Sequence, residues 1–202
     1  ALADVFDGAV ARALGVAGPL GVQLDSLADV VTFGVAPGLL LFNLNSELVT
    51  RYYQDGGQLW GASILPQAAL LIPLFSALRL ARFNISTDQK DHFIGLPTPA
   101  NALVCLFFPL YWAYGGNATD LDWLHPNFIS IWCILGSLML VANVPLLSLK
   151  FSNYGWKENK WRYLMIVSIV ICIGVFGWTG IPFSLLLYLL FSRIHFNRLL
   201  KP

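Results

Sequence analysis

The chain has 202 residues, 57% of them hydrophobic and 11% charged, with a formal net charge of +1. Soluble domains carry about 25% charged residues, and here the shortfall runs along the whole length, which excludes an ordinary soluble domain and points to a polytopic membrane protein. Near neutrality, with no basic run and no base-reading motif, excludes a nucleic-acid surface.

In chain order, residues 1–14 read as the cytoplasmic end of a helix whose upstream part is expected before Ala1. Gly15 to Pro19 is a tight turn. Six full spans are then expected, since about 20 apolar residues cross a bilayer. They run from Leu20 to Leu44, Leu59 to Phe83, Thr98 to Gly115, Asn127 to Leu149, Trp161 to Trp178 and Ile181 to Phe196. Polar loops separate them at 54–57, 86–91, 115–126 and 150–160, and Trp178-Thr179-Gly180 is a short hairpin. The expected fold class is all-α, a single polytopic membrane helix bundle over residues 1–202.

Charge orients this bundle. With alternating spans, eleven Lys and Arg residues fall on one side and only Arg51 on the other. The positive-inside rule makes the richer side cytoplasmic. Tyr52, Tyr53, Trp60, Tyr111, Trp112 and Tyr114 then mark the outer interface, and Tyr154, Trp156 and Trp161 the inner one. The stretch from Lys150 to Arg162 reads as plain positive-inside anchoring, with binding of anionic lipid headgroups as the alternative. Cys105, Cys133 and Cys172 sit in apolar stretches with no metal-ligand spacing, so they read as buried or lipid-facing apolar residues. His92, His125 and His195 are scattered and carry no ligand pattern.

The acidic residues near the N-terminus stand out. Asp4, Asp7, Asp25 and Asp29 fall within or beside apolar helix. A carboxylate there costs roughly 2.5–3.5 kcal/mol on insertion scales unless paired, solvated or metal-bound. Asp4 and Asp7 are three apart and share a helix face. Asp25 and Asp29 are four apart and share a face of the next helix. The turn between the helices lets the two pairs oppose each other near the cytoplasmic surface. Too few cations lie nearby to pair all four, so a hard divalent ion, Mg²⁺ or Mn²⁺, is the expected partner. Such an ion commonly also holds substrate phosphate. Gly8, Ala11 and Gly21 leave the backbone open to a bulky ligand, and Arg12 supplies a fixed cation. Gly34 and Gly38 read instead as small residues at a helix contact. Arg79 and Arg82, three apart on one face, suit a phosphate or carboxylate, or anchor the helix end.

The run Asp4-x2-Asp7-Gly8-x2-Ala11-Arg12-x8-Gly21-x3-Asp25-x3-Asp29 resembles the full signature of the CDP-alcohol phosphatidyltransferases. Leu24 to Asp29, Phe33 to Pro37, Arg79 to Asn84 and Phe93 to Ala100 resemble its phosphatidylserine synthase branch, with Thr32 where that branch usually has Ser. The resemblance implies that Asp4, Asp7, Asp25 and Asp29 bind metal and that Asp29 is also the general base. It implies that Gly8, Ala11, Arg12, Gly21 and Asp25 shape the CDP site, and that Arg79, Arg82 and Asn84 meet substrate. The expected reaction moves a phosphatidyl group from CDP-diacylglycerol to L-serine at the cytoplasmic membrane, in a homodimer among membrane lipids. Glycerol 3-phosphate or inositol phosphate as acceptor is the close alternative. An ion-coupled transporter is the distant one, since the carboxylates pair near one surface rather than at broken helices at the midplane.

Overall fold

The computed structural model describes residues 18–85, 92–115, 123–147 and 155–199. Asp4, Asp7, Gly8, Ala11 and Arg12 lie outside the described residues, as do residues 15–17 of the turn expected at Gly15 to Pro19. The described chain is mostly helical. α1 (Pro19–Val30) starts with proline at its first position, where the missing N–H costs nothing. It passes through a π-helical turn (Val31–Val35) into α2 (Ala36–Gln54). Pro37 accounts for that turn. It has no N–H to donate, and its ring would press on the carbonyl four residues back in a regular helix. The ladder widens instead, and the Ala36 N–H reaches Val31 O.

A 3₁₀ segment (Leu65–Leu70) leads into α3 (Leu71–Ile85). Strand β1 (His92–Ile94) precedes α4 (Thr98–Tyr114). Then come α5 (Pro126–Val141), β2 (Pro145–Leu147), α6 (Trp156–Phe176) and α7 (Gly180–Leu199). His125 caps α5, its Nδ1 accepting from the Asn127 N–H at 3.2 Å.

The helical bundle is borne out in its coarse form, with one small addition: β1 and β2, three residues each, pair antiparallel, with Phe93 opposite Leu146. One expected boundary is corrected. The fourth expected span, to Leu149, ends at Val141. Pro145 disfavours helical backbone at Val144 and has no N–H for a helical ladder, so the chain leaves α5 extended. The expected count of six full spans is met only in part. Among the described residues, three helical runs are long and apolar enough to cross a membrane: Gln23–Gln54, Leu65–Ile85 and Asn159–Phe196. Pro126–Val141 is a shorter apolar helix. The last run has 38 residues, roughly 57 Å if straight and well beyond a hydrocarbon core of about 30 Å. It folds back at Gly177, whose φ is +59°. Trp161 then meets Phe191, and Phe176 meets Phe183, so α6 and α7 lie antiparallel.

The core is the apolar seam of α2, α3, α4 and α5, with Leu41, Ile72, Val104, Ile129 and Leu140 almost fully buried. Asn45 crosses it, donating to Ser130 Oγ at 2.9 Å, and Ser130 donates on to Leu65 O at 2.8 Å. The outward faces remain apolar, with Leu74, Leu103, Leu135, Leu138, Val170 and Ile171 exposed. Exposed aliphatic faces on several helices suit lipid, not water. All three cysteines are free and buried.

The turn before α4 is fixed to α5. Gly95 N–H donates to Val144 O at 3.0 Å and Leu96 N–H to Met139 O at 2.9 Å. Gly95 has φ of +80°, and a Cβ there would collide with the Leu140 carbonyl. Gly95→Ala is expected to cost about 1–3 kcal/mol from backbone strain, more with the clash, read as a lowered thermal midpoint of the detergent-solubilised protein.

Candidate active site

The candidate site lies where α1, α3, the 95–98 turn and the end of α5 meet. Asp25 is exposed on α1 and Asp29, one turn on, is half-buried. Gly21, one turn earlier, is exposed with open space where a Cβ would sit. Just below Asp29 the π-helical turn presses Gly34 against α3. A Cβ on Gly34 would lie 3.0 Å from Ser76 Cβ and 3.2 Å from Pro73 Cα. A Cβ on Gly38 would lie 2.9 Å from the Pro73 ring. Both glycines therefore serve helix contact, and the aspartate helix rests directly on α3.

From α3, Arg79 points inward. It is 8% exposed, and its Nη1 donates to Thr98 Oγ1 at 3.4 Å. Its guanidinium lies over the Phe83 ring at 5.9 Å, and Asp29 is close enough for its charge to act on it. Arg82 is exposed and donates to Val141 O at 3.2 Å, so it caps the C-terminal end of α5. Asn84 donates to Ser26 Oγ at 2.9 Å and so ties the end of α3 to α1, between the two aspartates.

Arg79 and Arg82 line one cavity of about 340 Å³ with Phe83, Ile94, Leu140, Val141 and Asn143. The mini-sheet supplies one wall. β2 is held from behind by α7, where Ser192 Oγ accepts from Leu147 N–H at 3.2 Å and Tyr188 donates to Leu147 O at 3.0 Å. Two side chains thus stand in for a third strand.

The structure brings Arg79 and Arg82 to one cavity and joins Asn84 to the Asp25–Asp29 face. It gives Asn84 and Arg82 structural bonds in addition to any substrate contact. The sequence reading missed Thr98, Ser26 and the Val141–Leu147 wall. Thr98, three residues before Asn101 in an otherwise apolar helix, was the available signal. Among the described residues no group of three or more His, Cys, Asp or Glu is placed to hold a metal ion. Asp25 and Asp29 are the two signature carboxylates that are described.

The described site is thus a pair of carboxylates one turn apart on α1, beside a cavity lined by Arg79 and Arg82, in a bundle of apolar helices. The chain belongs to the CDP-alcohol phosphatidyltransferase family, whose model matches residues 1–140. It is similar to a CDP-diacylglycerol–serine O-phosphatidyltransferase of Helicobacter pylori, 35% identical over 178 residues, covering 85% of this chain and 64% of the relative. A Methanocaldococcus jannaschii protein of the same name is 34% identical over 191 residues, covering 94% and 75%. One from Bacillus subtilis is 40% identical over 96 residues, covering 48% of each. The chain thus spans 64% of the length of the Helicobacter relative.

The Asn84–Ser26 bond is testable by a double-mutant cycle. Asn84→Ala and Ser26→Ala should each lower stability, and the double variant should lose less than their sum. The expected coupling is about 0.5–1.5 kcal/mol, measured from denaturation in detergent.

Proposed function

We propose that the chain transfers the phosphatidyl group of CDP-diacylglycerol to L-serine, giving phosphatidylserine and CMP. The observation that carries this is the arginine-lined cavity beside the Asp25–Asp29 face, in a chain of this family whose relatives bear that activity as their name. We further propose six full spans, with the site at the cytoplasmic face of the cytoplasmic membrane, and a homodimer. The charge asymmetry of the loops supports the orientation.

The donor set suits Mg²⁺ or Mn²⁺. Asp25 and Asp29 offer hard oxygen donors from one helix face, and Asp4 and Asp7 would complete the set. A bound divalent ion would neutralise the diphosphate and ease departure of CMP. The protein's own part is then as follows. Asp29 takes the proton of the serine hydroxyl as that oxygen attacks the phosphorus carrying diacylglycerol. The bond from this phosphorus to the bridging oxygen breaks, and CMP leaves with that oxygen. Arg79, its fork held by Thr98, presents a guanidinium to the acceptor carboxylate or the lipid phosphate. Arg82, at the cavity mouth, adds a second cation. Gly8, Ala11, Arg12 and Gly21 would give the CDP moiety room and charge.

The direct test is CMP release from CDP-diacylglycerol in membranes holding the full-length protein, with serine, glycerol 3-phosphate and inositol phosphate offered separately. Serine alone should support release. Release only with a phosphorylated acceptor would keep the carboxylate chemistry and overturn the substrate. Chelation of divalent metal should abolish release, and adding Mg²⁺ or Mn²⁺ should restore it. Asp29→Asn should lose activity by at least about a hundredfold, the lower range for general-base catalysis, while still binding CDP-diacylglycerol. Arg82→Ala should raise KM for serine or lipid several-fold, and unchanged kinetics would leave Arg82 as a helix cap alone.

A further inference from the structure

Beneath the arginine-lined cavity is a layer of buried polar groups that the mechanism above does not use. Ser76, Asn101 and Ser137 are each 0% exposed. Ser76 Oγ, Ser137 Oγ, and both Oδ1 and Nδ2 of Asn101 have no hydrogen-bond partner among the described residues, and Arg79 Nε is in the same position. A buried polar atom without a partner costs about 1–3 kcal/mol, and native proteins hold few of them. Several at one level of one bundle need a common reason.

Helix geometry puts them at one level. The Arg79–Thr98 bond sets α3 against α4, and α4 runs back down where α3 runs up. Ser76 lies three residues below Arg79, and Asn101 three below Thr98, so both sit roughly 4.5 Å deeper. On α5, Leu140 lines the cavity. Gly136 and Ser137 lie about one turn below it. Gly136 makes room for Asn101, since a Cβ there would fall 2.7 Å from Asn101 Oδ1. The π-helical turn closes the layer through Gly34 against Ser76. Asp29 is five residues above Gly34 on the same helix, roughly 7.5 Å away along the axis.

We propose that Ser76, Asn101 and Ser137 are specificity-determining residues that receive the ammonium group of the acceptor. This rests on the acceptor reading given above. An ammonium has three N–H donors and no acceptor, and the layer offers three oxygens without partners. Arg79 Nε, directly above, is the donor left for a carboxylate on the same small molecule. An amino acid held at both points has its side-chain hydroxyl as the remaining functional group, free to turn toward Asp29. Glycerol 3-phosphate and inositol phosphate have no ammonium, so the layer would stay unpaired with either, and a site built to hydrogen-bond a group rejects ligands that lack it.

The test compares L-serine with 3-hydroxypropionate, which is serine without its amino group, as acceptors in CMP release by the full-length protein. The wild type should favour serine strongly in kcat/KM. Ser137→Ala and Asn101→Leu should each raise KM for serine about tenfold or more, the loss of one charge-assisted hydrogen bond. They should leave KM for 3-hydroxypropionate and for CDP-diacylglycerol unchanged, so the preference collapses by the same factor. An equal loss with both acceptors, or an unchanged preference, would overturn the proposal and leave the layer as a site for buried water. Ser137→Ala removes one oxygen only and guards against misfolding in the bulkier change. No serine-dependent release by the wild type would remove the acceptor reading itself. Release with serine but unaltered discrimination in the variants would remove only this inference.

Discussion

The close approach of the aspartate helix to α3 governs the arrangement of the site. Gly34 and Gly38 have no side chains to hold the helices apart, and Pro73, Ser76 and Ala69 fill the space they leave. In lipid there is little hydrophobic drive between helices, so close packing of small residues and a few hydrogen bonds must supply cohesion. The π-helical turn places Gly34 against Pro73 and Ser76 of α3, about one turn below Arg79. Remove that approach and Asp29 no longer lies near Arg79, nor Ser26 within reach of Asn84.

The second constraint is the satisfaction of backbone groups where helices end inside the bundle. α5 stops at Val141, and its last carbonyls need donors. Leu96 N–H serves Met139 O, and Arg82 serves Val141 O. The same bonds bring the 95–97 turn and Arg82 to the cavity. Termination of one helix and formation of the cavity rim are thus one event. Arg82 can act as both cap and cation because its guanidinium has five donors and the cap uses few of them.

Much of this was legible in the sequence. The apolar stretches located every described helix, because runs of that length and composition have few other solutions. Asp25, Asp29, Arg79, Arg82 and Asn84 could be singled out because charge and amide are scarce in such a chain. Gly34 and Gly38 could be read as contact residues from their size alone. What was not legible depends on relations between distant segments. No periodicity announces that 92–94 pairs with 145–147, since each strand has only three residues. The early end of α5 was signalled by Pro145 but masked by the apolar residues that continue to Leu149. The π-helical turn needs knowledge of where the Pro37 ring falls. Thr98 and Asn101 gain meaning only when α3 and α5 are seen to face them.

The clasp of Tyr188 and Ser192 on β2 bears on what can be treated as a self-sufficient unit. The family signature and its model end by residue 140, yet one wall of the cavity is made of residues after it. That wall is braced by side chains more than 40 positions further on. The C-terminal hairpin is therefore no detachable appendage. Its lipid-facing positions can drift among aliphatic residues at little cost. Positions 188 and 192 are answerable to a strand remote in sequence. A graft of the N-terminal segment onto another set of helices would inherit the carboxylates without that wall of the neighbouring cavity.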